Sequence, residues 1–289
     1  MPRAKGRYMK KTVRTAFLFL APSLVGVVVF VLVPFADTVR RSFFTAMGNR
    51  FVGLDNFLSV LNNPGFHMAA GNTARFVAIC VPMLILLSML MAVLVRRLRP
   101  EIGKWFKTSY LITMAIPVAS VVLLWRTIFH DRGIANQLLV SLGKDPVSFM
   151  TTDAAFWVLI FTYLWKNCGY DMILWLAGFD NINSNLYEAA RVDGANERQV
   201  FRYVTLPGLL PTLFLIAVLS LINTFKVFRE AYLVGGPYPE SNSIYLLQHL
   251  FNNWYTQLDV SRLCAAAVLL SVVLMGVILL LKRVWGDEQ

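Results

Sequence analysis

Apolar residues dominate six long stretches of the chain, and shorter segments between them hold most of the charges. Each stretch is close to the roughly 20 residues that an α-helix needs to cross a ~30 Å hydrocarbon core. Several stretches contain proline, which membrane helices tolerate because neighbouring helices can satisfy the freed carbonyls. The pattern predicts an all-α integral membrane protein with six transmembrane helices, at residues 16–35, 72–95, 109–129, 156–177, 206–228 and 263–281.

Composition narrows the class further. Hydrophobic residues make up 57% of the 289 residues and charged residues only 15%, whereas a soluble globular protein carries about 25% charged residues. A soluble enzyme is therefore excluded. The three cysteines are too few for a disulfide scaffold, and each lies in an apolar stretch where a free thiol behaves as a small buried hydrophobe.

The basic residues predict the orientation of the chain in the membrane. With a cytoplasmic N-terminus, sixteen lysines and arginines fall in cytoplasmic segments and seven in outer segments. Cytoplasmic loops carry such an excess, so both termini are expected in the cytoplasm. The net charge of +11 is explained by this arrangement, and we expect no nucleic-acid partner.

The predicted outer segments are too short to form a separate soluble domain. Residues 54–61 carry an amphipathic pattern that predicts a short interfacial helix. Residues 130–155 and 229–262 are expected to be loops of moderate length. The first apolar stretch follows a basic tail, but it is too long for a secretory signal and no small-residue cleavage site follows it, so we interpret it as an uncleaved anchor.

One long motif lies between the fourth and fifth predicted spans, at residues 184–207. Ser184 or Asn185 can cap a short helix with Glu188 in its first turn, where a carboxylate favours the positive end of the helix dipole. Gly194 supplies the permissive backbone for a sharp turn. Residues 195–203 then begin a second short helix, so the segment is predicted to form a compact helix-turn-helix knob on the cytoplasmic face.

This motif resembles the signature of the permease subunits of type I, maltose-transporter-like ATP-binding cassette (ABC) importers. That signature has Glu-Ala-Ala, then Asp-Gly-Ala, an aromatic residue and Leu-Pro where the next span begins. The chain matches it at Glu188, Ala189, Ala190, Asp193, Gly194, Ala195, Phe201, Leu206, Pro207 and Pro211. Residues 51–57 are similar to the segment before the second span in the sugar-permease branch of the family.

The resemblance implies an organisation and a set of partners. It implies an N-terminal tail, first helix and linker at 1–66, a type I permease domain at 67–284 with its coupling helix at 186–203, and a cytoplasmic tail at 285–289. The implied partners are a second homologous permease, two ATP-binding cassette subunits, an extracytoplasmic solute-binding protein and membrane lipid. The chain contains no G-x-x-x-x-G-K-[ST] phosphate loop, so ATP and Mg are expected on the ATPase subunits and no cofactor on this chain. The implied location is the bacterial inner membrane.

The fourth span carries an unusual group of polar and aromatic residues. Ionisable groups at membrane depth normally face a polar cavity or a partner, and aromatic rings beside hydrogen-bonding groups suit a sugar. Either Lys166 lines a substrate path, or Lys166 and Asp171 tie the span to a neighbour as an ion pair. The candidates for the path in this span are Trp165, Lys166, Asn167, Tyr170 and Asp171.

The fifth span adds a polar stripe of Asn223, Lys226 and Glu230 near its outer end. Lys226 either belongs to the path or merely snorkels or pairs with Glu230. The three histidines have no ligand spacing, so no metal site is predicted. The favoured function is a non-enzymatic transport subunit for a sugar or similar polyhydroxylated solute. An ion-coupled secondary transporter using Lys166 and Asp171 is the alternative, while no clustered residues support a membrane enzyme.

Overall fold

A computed structural model describes residues 17–285 of the chain. The basic residues of the N-terminal tail and the last four residues lie outside this range. Within it the secondary structure is helical apart from one isolated bridge between Phe44 and Phe51, which confirms the all-α prediction. The helices are α1 (Phe17–Ser42), α2 (Asp55–Leu61), α3 (Pro64–Arg96), α4 (Pro100–Ala115), α5 (Val118–Ile128), α6 (Ile134–Ser141), α7 (Ala154–Asp180), α8 (Ser184–Val192), α9 (Glu197–Val200), α10 (Leu210–Gly235), α11 (Leu247–Thr256) and α12 (Val260–Trp285).

Four of these helices, α1, α3, α10 and α12, are each long and apolar enough to cross a membrane. Helices α4 and α5 meet the same requirement only together, and they meet at a bend of 95°. The predicted third span, 109–129, is therefore not one continuous helix. The cause is Pro117, which disfavours helical backbone at the preceding residue; Ile116 is accordingly extended, with ψ of 126°.

Helix α7 corresponds to the predicted fourth span but differs in character from the others. Its 27 residues would cover about 40 Å. Lys166, Asn167 and Asp171 lie in its middle, and α7 is not among the helices that are long and apolar enough to cross a membrane. By that criterion the structure has four single spans, or five with the bent pair. Most residues of α7 are buried against protein, which is where a helix with a polar centre is stable in a membrane.

The predicted fifth span, 206–228, is displaced along the chain. Leu206–Gly208 forms a separate short turn before Leu209, and the continuous helix α10 starts at Leu210. It continues through a 3₁₀ turn at Phe225–Val227 and ends at Gly235. Pro211 sits in the first turn of α10, where its missing N–H costs nothing. The predicted loops 130–155 and 229–262 also contain helices, namely α6, the end of α10 and α11.

The chain divides into two compact units. One contains the residues up to Asn62 together with Trp254–Val273. In this unit the side-chain amide of Asn56 donates to the carbonyl oxygens of Ser42 and Phe44, both at 2.9 Å, and these bonds hold the predicted short helix α2 against the end of α1. The second unit contains Asn63–Asn253 and the residues from Leu274 onward, and it carries the candidate site.

Helix α7 is the centre of the second unit and packs against α3, α4 and α10. Two glycines permit close approach: a Cβ at Gly169 would lie 2.9 Å from the backbone oxygen of Tyr110 in α4, and one at Gly178 would lie 2.4 Å from the hydroxyl of Thr212 in α10. Small residues at such crossings let membrane helices pack closely. The indole N–H of Trp175 donates to the Ser88 hydroxyl at 3.1 Å inside this core.

Candidate functional site

The predicted knob is present as two short helices joined by a turn. Asn183 is extended and its side chain accepts a hydrogen bond from the Asn185 N–H at 3.0 Å. The cap is therefore Asn183, because Ser184 and Asn185 already belong to the helix and cannot cap it. Glu188 consequently lies beyond the first turn, so the predicted interaction with the helix dipole is wrong.

Gly194 ends α8 in the left-handed conformation, with φ of +77°. The Ala195 N–H donates to the Ala190 carbonyl at 2.9 Å and the Gly194 N–H to the Arg191 carbonyl at 3.1 Å. These two bonds form a Schellman motif, which satisfies the last carbonyls of the helix. The predicted sharp turn at Gly194 is confirmed. A Cβ at this position would have no atom within 4 Å, so the requirement for glycine comes from the backbone alone.

The second helix of the knob begins at Glu197, two residues after the predicted 195, and the helical backbone continues to Gly208, past the predicted 203 and through Pro207. It starts at a capping box, in which the Asn196 and Gln199 side chains accept hydrogen bonds from each other's backbone N–H. After Val200 it continues as a π-helix at Phe201–Thr205. Val200 and Thr205 are buried, and the Thr205 hydroxyl donates to the Tyr187 hydroxyl at 3.3 Å. These contacts join the second helix to the first.

The first helix of the knob buries none of its residues. Val192 is 88% exposed and Leu186 is 53% exposed. A capped helix that shows apolar side chains instead of burying them is typical of a surface that binds another protein. The signature residues lie on this accessible surface: Glu188, Ala189, Asp193, Gly194, Phe201, Leu206 and Pro207 are exposed, while Ala190 and Ala195 are half-buried.

A separate polar cavity of about 320 Å³ lies between α7, α10 and the α4–α5 bend. Four of the predicted path residues line it together: Lys166, Asn167, Asn223 and Glu230. Lys166 Nζ lies 3.0 Å from Glu230 Oε1, and the two side chains are 16% and 9% exposed. The cavity therefore contains a partly buried ion pair between α7 and α10, within the second unit.

The remaining predicted path residues lie elsewhere. Asp171 is buried and its Oδ2 accepts from the Ser220 hydroxyl at 2.8 Å. The ion pair that ties this span to a neighbour is formed by Lys166 with Glu230 of α10, and Asp171 is not part of it. Trp165 packs edge-on against Trp125, with ring centroids 5.6 Å apart. Tyr170 is half-buried and is not in the cavity lining. The Lys226 side chain lies outside the described atoms, so its predicted place in the path or beside Glu230 stays a prediction.

Sequence reasoning missed two polar residues of the cavity, Tyr163 and Arg229. Tyr163 lies one turn before Asn167, and the side-chain amide of Asn167 donates to the Tyr163 carbonyl at 2.8 Å. The i, i+4 spacing places the two residues on one helix face, so it could have identified Tyr163 from the sequence. Arg229 was assigned to an outer loop because α10 was expected to end at residue 228. Met114 and Val118 line the cavity from either side of the bend, and no side-chain pattern predicts that position.

His249 is the one buried histidine among the described residues. It is fully buried in α11, against the rings of Phe228, Tyr232 and Tyr245. Its Nδ1 accepts from the Leu246 N–H at 3.2 Å. Burial disfavours the charged imidazolium and lowers the pKa of His249 to about 4. Residues 17–285 contain no group of His, Cys, Asp and Glu side chains arranged to hold a metal ion.

Comparisons with known proteins match nearly the whole chain. A family model described as binding-protein-dependent transport system inner membrane component matches residues 84–284. Two similar relatives are the probable ABC transporter permease protein YesP of Bacillus subtilis (strain 168), 31% identical over 95% of this chain and 92% of that protein, and the lactose transport system permease protein LacF of Rhizobium radiobacter, 29% identical over 94% of each. A chain in the crystal structure of a bacterial ABC transporter involved in the import of the acidic polysaccharide alginate has the same fold, with a TM-score of 0.81, 23% identity and coverage of 98% of this chain and 99% of that one.

Proposed function

Because the chain belongs to the family of binding-protein-dependent transport system inner membrane components, we propose that it forms half of the translocation path for a sugar or similar polyhydroxylated solute. The family match confirms the resemblance drawn from the motif at 184–207. The protein is a multi-pass membrane protein and a transport subunit, and it works with a binding protein. The finer assignments below are proposals.

The knob is proposed to transmit movement from the ATPase subunits. Its exposed first helix is the observation that carries this proposal, since Leu186 and Val192 are presented to a partner. Hydrogen bonds at Asn183, Gly194 and Asn196 fix the ends of both short helices. A rigid knob passes on a rigid-body movement that a loose loop would absorb. Two ATPase subunits would supply ATP and Mg, and a second permease would complete the path.

The solute class is proposed from the cavity and from the relatives. Lysine and arginine donate hydrogen bonds, glutamate accepts them, and asparagine and tyrosine do both. Lys166, Asn167 and Glu230 together thus offer both kinds of partner to a hydroxyl-rich molecule. Relatives are named for the transport of lactose and arabinooligosaccharides, which are such molecules. Lys166 and Glu230 neutralise each other, and Arg229 adds one positive charge to the lining.

The orientation is proposed from the distribution of basic residues. The knob and both termini would lie in the cytoplasm of a bacterial cell, with the chain in the inner membrane. This placement puts the knob on the side of the membrane where ATP is available. It also puts the segment between α1 and α3 on the side of the binding protein.

The test measures whether the exposed face of α8 holds the ATPase subunits. The complex is expressed with its second permease and ATPase, and Val192→Glu is compared with Met47→Glu, which changes an equally exposed apolar residue outside the knob. We expect Val192→Glu to weaken ATPase retention about tenfold or more, as loss of a central interface contact does, while Met47→Glu retains it. Full retention and transport with Val192→Glu would refute the coupling role.

A further inference from the structure

A second groove, of about 800 Å³, lies beside the knob and is separate from the polar cavity. One wall is the C-terminal third of α3, and the other is formed by the end of α7 and by residues of the knob. The α3 wall is apolar for most of its length, and the opposite wall carries Arg191 and Arg198. The groove therefore has an apolar part and a cationic part.

The apolar wall is a straight lane on one face of α3. Leu86, Leu90, Val93 and Arg97 follow one another at intervals of four, three and four residues, which places them in line along the helix. At 1.5 Å per residue the lane is about 16 Å long, close to half of a ~30 Å hydrocarbon core. When Arg97 lies at the level of lipid headgroups, Leu86 therefore lies near the middle of the membrane. Leu86 and Leu90 are 66% and 55% exposed.

The cationic end of the groove has an unbalanced charge. Four arginines and one carboxylate line it: Arg96, Arg97, Arg191, Arg198 and Glu197. Over residues 17–285, no ion pair within 4 Å involves any of the four guanidinium groups. Arg96 is held over the ring of Phe179, 4.4 Å from its centroid. Guanidinium groups match the geometry of phosphate oxygens, so this end is complementary to a phosphate.

We propose that this groove binds one anionic phospholipid, with its phosphate among the four arginines and an acyl chain along Leu86, Leu90 and Val93. Charge, length and polarity each fit this occupant: a free phosphate would leave the lane empty, and a neutral lipid would leave the arginines unneutralised. The bound lipid would connect the end of α3 to Arg191 and Arg198 of the knob. Basic pockets between helices at the cytoplasmic surface are suited to anionic headgroups.

The test uses the full-length chain purified in detergent, with native mass spectrometry to count the lipids retained after mixing with phosphatidylglycerol or phosphatidylcholine. One variant combines Arg96→Gln, Arg97→Gln, Arg191→Gln and Arg198→Gln. A matched control combines Arg50→Gln, Arg126→Gln, Arg132→Gln and Lys144→Gln, which removes the same charge outside the groove. The milder pair Arg97→Gln with Arg198→Gln serves if the fourfold variant folds poorly.

We expect wild type and control to retain one phosphatidylglycerol per chain in preference to phosphatidylcholine. The fourfold variant should retain it at least roughly tenfold more weakly, since each basic residue near an anionic headgroup contributes appreciably. Equal retention of both lipids by the wild type would overturn the proposal. So would displacement of the lipid by inorganic phosphate alone at equal concentration, which would indicate a simple anion site. Unchanged retention of phosphatidylglycerol by the fourfold variant would also overturn the proposal.

Discussion

Replacing Lys166 with methionine would show what the ion pair in the polar cavity does. The substitution removes the ammonium group 3.0 Å from Glu230 Oε1. The other carboxylate oxygen of Glu230 is buried and has no hydrogen-bond partner among the described residues, so the carboxylate would lose its only described partner. Removing one member of a buried pair costs about 3–5 kcal/mol. The cavity admits water to Lys166, so we expect the lower end, about 3 kcal/mol.

A double variant separates the loss of the pair from the loss of a charge. Glu230→Gln in addition to Lys166→Met removes the stranded carboxylate while keeping the size of the side chain. We expect the double variant to recover at least half of the lost stability, because no uncompensated charge remains. The measurements are the yield of the assembled complex and its thermal unfolding in detergent.

Transport measurements then test the lining role. ATPase stimulation by loaded binding protein, measured on the double variant, reports on the cavity independently of stability. A stable double variant with reduced stimulation supports contact of the pair with the solute. Lys166→Met with wild-type yield, unfolding temperature and stimulation would refute the reasoning, since a pair that contributes neither stability nor transport has no role.

Three further predictions follow from single positions. Gly194→Val should leave membrane insertion intact but reduce transport sharply, because a β-branched residue at positive φ costs about 1–2 kcal/mol. Gly194→Asn should retain most of the transport activity, because asparagine tolerates positive φ. Equal transport by the two variants would contradict the requirement for left-handed backbone at this turn. Gly169→Ala should destabilise the complex by about 1–3 kcal/mol and resist rescue, because the new Cβ meets the backbone oxygen of Tyr110. Gly178→Ala should be rescued in part by Thr212→Ala, which removes Oγ1 and Cγ2, the two atoms closest to the new Cβ. Thermal unfolding of each variant decides. The imidazole of His249 is neutral in the native protein, because burial lowers its pKa. Its contribution to the free energy of unfolding is complete above pH 6.5 and is lost as the pH falls towards 4, so the free energy of unfolding should be about 2 kcal/mol lower at pH 5 than at pH 7. The same pH slope in a His249→Phe variant would contradict this.

Periodicity and length were sufficient to locate the apolar helices. The positions of α1, α3 and α12 follow from long apolar runs, and the knob follows from glycine and asparagine at turn positions. Helix bounds near prolines were less accurate. The α4–α5 bend and the late start of α10 depend on where Pro117 and the prolines around Leu209 fall relative to a helix end. Hydrophobicity averaged over a whole span does not contain this information.

The candidate cavity was predictable only in part. Lys166 and Glu230 are each identifiable from the sequence, Lys166 as an ionisable residue at membrane depth and Glu230 as part of the polar stripe near the outer end of the fifth span. Their pairing was not predicted, because it depends on the rotation of α7 against α10 and the two residues are 64 positions apart. Asp171 shows the same difficulty: it is an ionisable residue of the same span, but packing directs its carboxylate towards the hydroxyl of Ser220 and not into an ion pair.

The 95° bend between α4 and α5 has a consequence for the chemistry of the cavity beside it. The last carbonyls of α4 have no partner within their own helix, and Met114 and Val118 place this break at the cavity wall. The carbonyl of Pro117 is already used, because it accepts hydrogen bonds from the Ser120 and Val121 N–H groups at 3.0 and 3.2 Å at the start of α5. The acceptors that the break leaves therefore belong to the end of α4, next to Met114. Because they are part of the main chain, replacing the side chains of the cavity would not remove them.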